Sequence, residues 1–404
     1  MITIRDKKDC CGCHACATIC AKHCITMESD KEGFLYPIVD KDACTDCGLC
    51  EKVCPVINQS EPRKPLKVYA AKNKDEEIRR QSSSGGIFTL FAEKVINEGG
   101  VVFGARFDEE WNVIHSWTDT IEGIAAFRGS KYVQSTIGDT YREAREFLKQ
   151  GRKVLFSGTP CQIAGLKKYL RKEYDNLLTV DVVCHGVPSP LVWRTYLDET
   201  RKQLRAERGV GKNSVPSSMD ELPVITGISF RDKTNGWKKY GFRLRYAASE
   251  AAENTVFASA IKEGEEVLEM HRNNLFMQGF LVNLYLRPSC HACSARSGKS
   301  GSDISIADFW GVQHFYPEFD DDNGVTAILA NTEKSSFYLK DLSSLADVED
   351  TSYEAVKQYN SALEKSAKRT CYRRFFYKLF GLVKNVKCVR LVLLYKRVYS
   401  KIFK

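Results

Sequence analysis

Two cysteine runs of the same spacing constrain this chain more than anything else in it. The first reads Cys10-x2-Cys13-x2-Cys16-x3-Cys20, the second Cys44-x2-Cys47-x2-Cys50-x3-Cys54-Pro55. An iron–sulfur cubane needs four thiolates at tetrahedral positions. Two intervening residues let three successive sulfurs wrap one such cluster, and in paired runs the fourth cysteine crosses to the other cluster. The spacing therefore assigns Cys10, Cys13, Cys16 and Cys54 to one [4Fe–4S] cluster, and Cys44, Cys47, Cys50 and Cys20 to a second. A single CxxC would also suit zinc; two complete repeats favour clusters. Cys11 and Cys24 fall outside the pattern and read as buried spectators.

The other six of the sixteen cysteines are spread along a 404-residue chain. In a secreted protein so many would suggest disulfides. Here the opening MITIRDKKD has no apolar signal core, and no run of about 18 apolar residues follows. The expectation is a cytoplasmic protein with metal or redox chemistry. Hydrophobic residues at 43% and charged residues at 27% exclude a disordered chain. The net charge of +9 is unevenly placed. Thirteen Lys and Arg and no acid lie between Lys365 and Lys404, which leaves the remainder net acidic.

The texture changes after a polar, proline-containing linker from Gln59 to Lys67. Strands are expected at 68–71, 101–104, 154–157 and 178–183, with helices at 85–97, 140–150 and 162–170. Such alternation implies an α/β body with a mostly parallel sheet. Strands at 227–230 and 240–246 should flank a turn at Asn235-Gly236. Residues 200–224, charged and then Ser/Pro-rich, read as an inserted connection. The organisation expected is a small α+β cysteine module (1–60), a larger α/β domain (61–350) and a basic helical tail (351–404).

Two further constellations carry chemistry. Ser82-Ser-Ser-Gly-Gly86 sits at an expected strand-to-helix junction, where small residues let backbone amides approach a phosphate; a plain helix cap reads equally well. Its neighbours in kind are Arg128-Gly-Ser-Lys-Tyr-Val-Gln134, Ser157-Gly-Thr-Pro-Cys-Gln162 and Asp181-Val-Val-Cys-His-Gly-Val-Pro-Ser189. In open α/β sheets ligands gather beyond the carboxyl ends of strands. The other constellation is Cys161, Cys184, Cys290 and Cys293, from three turn-adjacent segments. It fits a third cubane, a structural zinc site or a redox-active thiol pair.

Residues 1–57 resemble bacterial-type dicluster ferredoxins, with Ala21 where that family usually has proline. The longer stretch resembles the beta subunit of coenzyme F420-reducing hydrogenase and its relatives. The likeness rests on SSSGG (82–86), GSKYVQS (129–135), GTPCQIAGL (158–166), DVVCHGVPSP (181–190), FRDKTNGW (230–237), RPSCHAC (287–293) and DISIADFWG (303–311). The resemblance implies an iron–sulfur flavoprotein oxidoreductase that passes electrons between its clusters and a flavin, FAD or FMN, which exchanges hydride with F420 or another redox substrate. It makes Cys161, Cys184, Cys290 and Cys293 ligands of a third [4Fe–4S] cluster. It makes Ser84, Gly85, Gly86, Lys131, Tyr132, Thr159 and Gln162 flavin contacts.

Lys131 and His185 are the candidate catalytic groups beside that flavin. His185 can donate a proton, or it can simply fix its loop. Asp308 contacts the flavin or caps a turn. Lys233, Trp237 and Lys238 read as an exposed hairpin or a docking loop. The tail mixes cations with aromatic and aliphatic residues, as helices on anionic membrane surfaces do; it can equally bind an acidic protein or pack on the body. No nucleic-acid-reading motif is present. Partners are therefore a redox protein or a small electron carrier. The alternatives to the enzyme are an electron relay without its own catalysis, and a disulfide reductase using Cys290 and Cys293.

Overall fold

A computed structural model describes residues 1–207, 222–247 and 265–402. The chain divides into two compact units, Met1–Val187 with Leu286–Lys368, and Pro188–Tyr285 with Arg369–Lys404.

The first unit opens with the cysteine module. Helix α1 (Ala15–Ile19) is followed by a hairpin of β1 (Ile25–Ser29) and β2 (Leu35–Val39), and then by helix α2 (Leu49–Lys52). The sequence repeat is also a backbone repeat. Gly12 and His14 before α1, and Asp46 and Gly48 before α2, all hold positive φ. These left-handed residues turn each CxxCxxC loop back on itself ahead of its helix.

The body of this unit is an eight-stranded sheet. Its strands are β3 (Lys67–Asn73), β4 (Val101–Phe107), β5 (Val113–Thr118), β6 (Val154–Gly158) and β7 (Leu177–Val182). Three further strands, Ile304–Asp308, Thr326–Ala330 and Ala346–Thr351, complete it. The last three are β11, β12 and β13 in a count that reserves β8 to β10 for the second unit, where they span Val224–Asp232, Gly241–Ala247 and Glu265–Met270. The order is β13-β3-β12-β11-β7-β6-β4-β5. Only β11, β7, β6 and β4 run parallel; β5, β12, β3 and β13 join antiparallel. The expectation of a mostly parallel sheet is thus corrected. The parallel strands at the centre are buried almost without interruption, as strands covered on both faces must be.

Helix α3 (Glu76–Gln81) intervenes before Ser82, so SSSGG joins two helices and not a strand to a helix. Helix α4 (Ile87–Asn97) then covers one face of the sheet with Ile87, Phe91 and Val95. Helices α5 (Thr140–Lys149) and α6 (Pro160–Leu170) cover the other. Helix α6 starts where its sequence says it should. Thr159 and Gln162 form a reciprocal capping box, and Pro160 occupies the first turn, where its missing N–H costs nothing.

The second unit holds helix α7 (Pro190–Glu207) and the antiparallel sheet β10-β9-β8. Trp193 is fully buried at its centre, 5.0 Å from the rings of both Phe230 and Phe276. The connection expected at 200–224 therefore begins as the last two turns of α7; residues 208–221 lie outside the described residues. Trp237 is fully buried and Lys233 nearly so, while Lys238 is exposed, so the expected exposed hairpin is corrected for the first two. Two basic helices, Tyr372–Val383 and Cys388–Ile402, complete the unit.

Gly85 has no room for a side chain. A Cβ there would lie 2.5 Å from the Ala71 carbonyl oxygen and 2.8 Å from the Thr326 nitrogen, both backbone atoms that cannot swing aside. Gly381, mid-helix, has nothing within 4 Å of its Cβ position. Gly85→Ala should destabilise the protein by about 1–3 kcal/mol. Gly381→Ala should stabilise its helix by roughly 0.5–1 kcal/mol. Differential scanning calorimetry should show opposite shifts in Tm; equal responses would contradict the packing described.

Candidate metal centres

Cys10, Cys13, Cys16 and Cys54, together with Cys11, line one small pocket of about 20 Å³, with Ile2, Met27, Pro37 and Val56 among its other walls. The first four are the cysteines that the spacing groups together. Burial, and then Cys10 and Cys54 beside it, push the Cys16 thiol up to about 12. Thiolate charge at this spot needs a compensating cation of the kind iron supplies. Among the described residues no three Cys, His, Asp or Glu converge tightly enough for a single ion.

In the second set, Cys50 is buried with Cys44 and Cys20 packed around it, and Cys47 is exposed. The Ile2 amide donates to Cys50 Sγ at 3.2 Å and the Asp46 amide to Cys44 Sγ at 3.4 Å. Such N–H···S bonds suit sulfur that carries negative charge and tune cluster potential. Cys24 Sγ lies 3.4 Å from Cys20 Sγ and within hydrogen-bond reach of Cys44. It is buried, as expected of a spectator, and forms part of the wall of this set.

Topology brings the dispersed cysteines together. β6 and β7 are parallel neighbours, so their carboxyl ends are adjacent. Cys161 opens α6 just after β6, and Cys184 follows just after β7. Cys290 and Cys293 come from the short 3-10 turn Pro288–Ala292. Burial, and then Cys290, raise the pKa of Cys184, with Cys161 and Cys293 adding to it. Burial pushes Cys290 up to about 12, with Cys161 and Cys293 contributing. The four thiols thus lie near enough to act on one another's charge. The Val187 amide donates to Cys290 Sγ at 3.4 Å. Arg296, mostly buried, opposes the rise at both Cys184 and Cys293.

This third set adjoins the first. Cys11 is buried in the same cluster as Cys13, with Cys161 packed against it, so a single side chain adjoins both sets. Its spacing in sequence gives no hint of this.

The loops expected to cradle a cofactor are more occupied by their own protein. Ser84 Oγ donates to the Val325 carbonyl, the Gly85 amide donates to Thr326 Oγ1, and Asn73 Nδ2 donates to the Gly86 carbonyl. Gln162 is buried and spends its amide on Thr159 and Ser135. Ser83, not singled out in the sequence, accepts from the Ser130 amide at 2.6 Å and ties the 82–86 loop to the 128–134 loop. Tyr132 is half-buried on that second loop. Lys131 Nζ donates to the Ala126 and Arg128 carbonyls at 2.8 Å each, and burial lowers its pKa to about 7. His185 is exposed, its carbonyl accepting from Arg296. Asp308 closes β11, its carbonyl accepting from Asn360.

Sequence reasoning missed His115. It lies on β5, 6% exposed, stacked on Phe156 and electrostatically coupled to Lys131. Nε2 faces the Ser157 carbonyl at 3.1 Å, so it donates there; Nδ1 is buried with no partner. A lone histidine in a strand carries no motif, and nothing in the sequence would have found it.

A repeated cysteine module fused to the core of an α/β sheet, with more cysteines gathered beside it, defines an iron–sulfur protein. Residues 9–58 match the 4Fe-4S dicluster domain. Residues 68–140 and 151–355 match the N-terminal and C-terminal parts of the coenzyme F420 hydrogenase/dehydrogenase beta subunit. The chain belongs to that family. It is 28% identical over 202 residues to the coenzyme F420-dependent sulfite reductase of Methanocaldococcus jannaschii, covering 48% of this chain and 30% of that one. It is 26% identical over 190 residues to one of the subunits of the F(420)H(2) dehydrogenase of Methanosarcina mazei, covering 43% of this chain and 53% of that one. The matches thus span a third to a half of the curated relatives' length. A chain of the F420-reducing [NiFe] hydrogenase complex from Methanosarcina barkeri aligns over 76% of this chain and 97% of its own, at 17% identity and a TM-score of 0.43.

Burial lowers the pKa of His115 to about 4. The folded state therefore keeps the ring neutral, while the unfolded chain takes up a proton near the ordinary value of about 6.5. Between these values the unfolded state binds more protons, so stability falls as pH drops from about 6.5 towards 4. His115→Gln should show a smaller loss of Tm between pH 7 and pH 5 than the unmodified protein. Equal losses would place the proton elsewhere.

Proposed function

We propose that this protein is an iron–sulfur flavoprotein oxidoreductase that passes electrons between its cysteine-held clusters and a flavin. The observation that carries the reading is the convergence of Cys161, Cys184, Cys290 and Cys293 next to the dicluster module, with Cys11 adjoining both. Cys161 raises the pKa of both Cys290 and Cys293, and both of these raise that of Cys184, which favours four thiolate ligands over an isolated dithiol.

A flavin, when bound, supplies the conversion between one-electron carriage and hydride exchange. Ser84, Gly85, Gly86, Lys131, Tyr132, Thr159 and Gln162 are the residues that would hold it. The chain's own features suit such a guest. Gly129 presents bare backbone, with nothing nearer than 3.9 Å to a Cβ built there, and His115 Nδ1 is an unpaired buried acceptor. Lys131, poised near neutrality, can hold or release a proton at Nζ; His185 offers a second, exposed proton donor. The substrate is F420 or another hydride carrier. The internal hydrogen bonds of Ser84, Gly85 and Gln162 favour the second reading, an electron relay without flavin, if that pocket stays closed.

Anaerobic purification separates these readings. The flavoprotein carries about twelve irons, at four per cubane, and one flavin per chain. About eight irons with two titratable thiols at Cys290 and Cys293 would mean a disulfide reductase, and iron without flavin after reconstitution a relay. Reduction of F420, NAD(P)H or ferredoxin by the loaded protein then names the carrier.

The basic tail gives the protein a peripheral docking surface for an anionic membrane. Leu382, Val383, Leu391, Leu394 and Val398 are exposed on the paired helices, among the exposed cations Arg374, Lys378, Lys387 and Arg390. Apolar side chains flanked by cations suit the lipid interface. No helix among the described residues is long and apolar enough to cross a membrane. The protein should co-sediment with vesicles containing phosphatidylserine and not with phosphatidylcholine alone, and Leu391→Glu with Leu394→Glu should abolish it. Equal binding to both vesicles, or none, rejects this surface.

A further inference from the structure

Arg287 is completely buried, yet among the described residues no carboxylate pairs with it. Its guanidinium is spent on neutral groups. Nε donates to the Cys10 carbonyl at 2.8 Å, Nη1 to Gln134 Oε1 at 3.0 Å, and Nη2 to the Leu35 carbonyl at 2.8 Å. The ring centroids of Tyr36 and Phe34 lie 4.3 and 5.5 Å from its central carbon. The one remaining contact is Nη2 to Cys10 Sγ at 3.5 Å. A guanidinium cannot discard its proton. A buried charge without a counter-charge costs several kcal/mol. Among the described residues the thiol within hydrogen-bond distance of it is Cys10 Sγ; at longer range it also acts on Cys161 and Cys290.

The surroundings are built around this contact. Gln134 takes Nη1 on its carbonyl oxygen and donates its amide to the Cys11 carbonyl at 3.1 Å. Gly12, at φ +71, has no space for a side chain: a Cβ would meet Gln134 Nε2 at 2.7 Å and Arg287 Nη1 at 2.8 Å. Arg287 also belongs to the segment that supplies Cys290 and Cys293; its carbonyl accepts from the Cys290 amide at 2.9 Å. One residue thus grips the first cysteine loop while standing three positions before a cysteine of the third set.

We propose that Arg287 is the counter-cation of the first four-cysteine set and raises the reduction potential of the iron–sulfur group held there. One electron entering that group adds one negative charge and no atom. The fixed positive charge at Cys10 Sγ stabilises the reduced form more than the oxidised form. Arg287 is a positioning and tuning residue; it touches a ligand, not a substrate. The inference rests on the cluster reading of Cys10, Cys13, Cys16 and Cys54 and is independent of the flavin.

The test is a dithionite potentiometric titration of the anaerobically purified full chain, followed by electron paramagnetic resonance. Arg287→Gln removes the charge, Arg287→Lys keeps it, and Gln134→Glu leaves the arginine in place but sets a carboxylate against it. In Arg287→Gln and Gln134→Glu, one signal should shift to lower potential. Poised at the unmodified midpoint, its oxidised-to-reduced ratio should rise about tenfold, or about 59 mV for a one-electron couple. Arg287→Lys should recover most of the shift, and the other signals should move less. Unchanged midpoints in Gln134→Glu, or equal shifts in Arg287→Lys and Arg287→Gln, would overturn the proposal and leave Arg287 a packing residue. Should Arg287→Gln lose iron, Gln134→Glu decides alone. Iron well below eight per chain in the unmodified protein would sink the cluster reading itself, a result separate from any shift.

Discussion

The close approach of Cys13 to Gly165 governs how the cysteine module meets the sheet. A Cβ on Gly165 would lie 2.9 Å from both Cβ and Sγ of Cys13, and 2.9 Å from the Tyr141 hydroxyl. Only a glycine lets α1 and its cysteine loop settle on α6 at this distance. The result is a shared core. Cys11, Cys13, Ala15 and Val53 pack with Phe103, Tyr141, Phe156, Ile163 and Leu166. The module is therefore an inner wall of the α/β body, and the cysteines of the first set stand beside the helix whose first turn carries Cys161. A module joined only by its linker would have no reason to hold its cysteines at a fixed distance from that turn.

Placing so many thiols inside an apolar core creates an electrostatic problem. Burial pushes Cys16 and Cys290 up to about 12, and raises Cys13, Cys184 and Cys293 as well, because a desolvated thiolate is costly and its neighbours repel it. The protein answers with directed dipoles and fixed charge. Backbone amides point at Cys44, Cys50 and Cys290, and buried Arg287 and Arg296 stand beside the first and third sets. Histidines in the same region are driven the other way. His14 and His115 both fall to about 4, chiefly through burial, with Arg287 adding to the fall at His14. Burial thus disfavours charge of either sign in this region, and the amides and arginines offset that cost at sulfur only in part.

What could be read in advance follows from how local each signal is. The two cysteine runs place their ligands within a few residues of one another, so spacing alone grouped Cys10, Cys13, Cys16 and Cys54, and the structure draws those four around one cavity. The central strands were legible because burial on both faces demands continuous apolar runs. The antiparallel flanks were not, since β12 and β13 read no differently from parallel strands until their partners are known. Reading the third set as a cubane needed the resemblance, because its cysteines come from three segments far apart in sequence. His115, Arg287 and Cys11 stayed hidden for the same reason: each owes its environment to partners far away in sequence.

The capping of α6 ties these levels together. Its start is fixed by Thr159, Pro160 and Gln162, a purely local device. That device leaves Cys161 in the first turn, with Thr159 Oγ1 at 3.3 Å from its sulfur. The same Gln162 that closes the cap also reaches Ser135 on the strand-flanking loop, and its carbonyl accepts from the Tyr141 hydroxyl at 2.6 Å. A residue expected to touch a cofactor is thereby committed to holding a cysteine in register. Rigidity at Cys161 thus follows from one short stretch of sequence, whose local cap also anchors the loop before it.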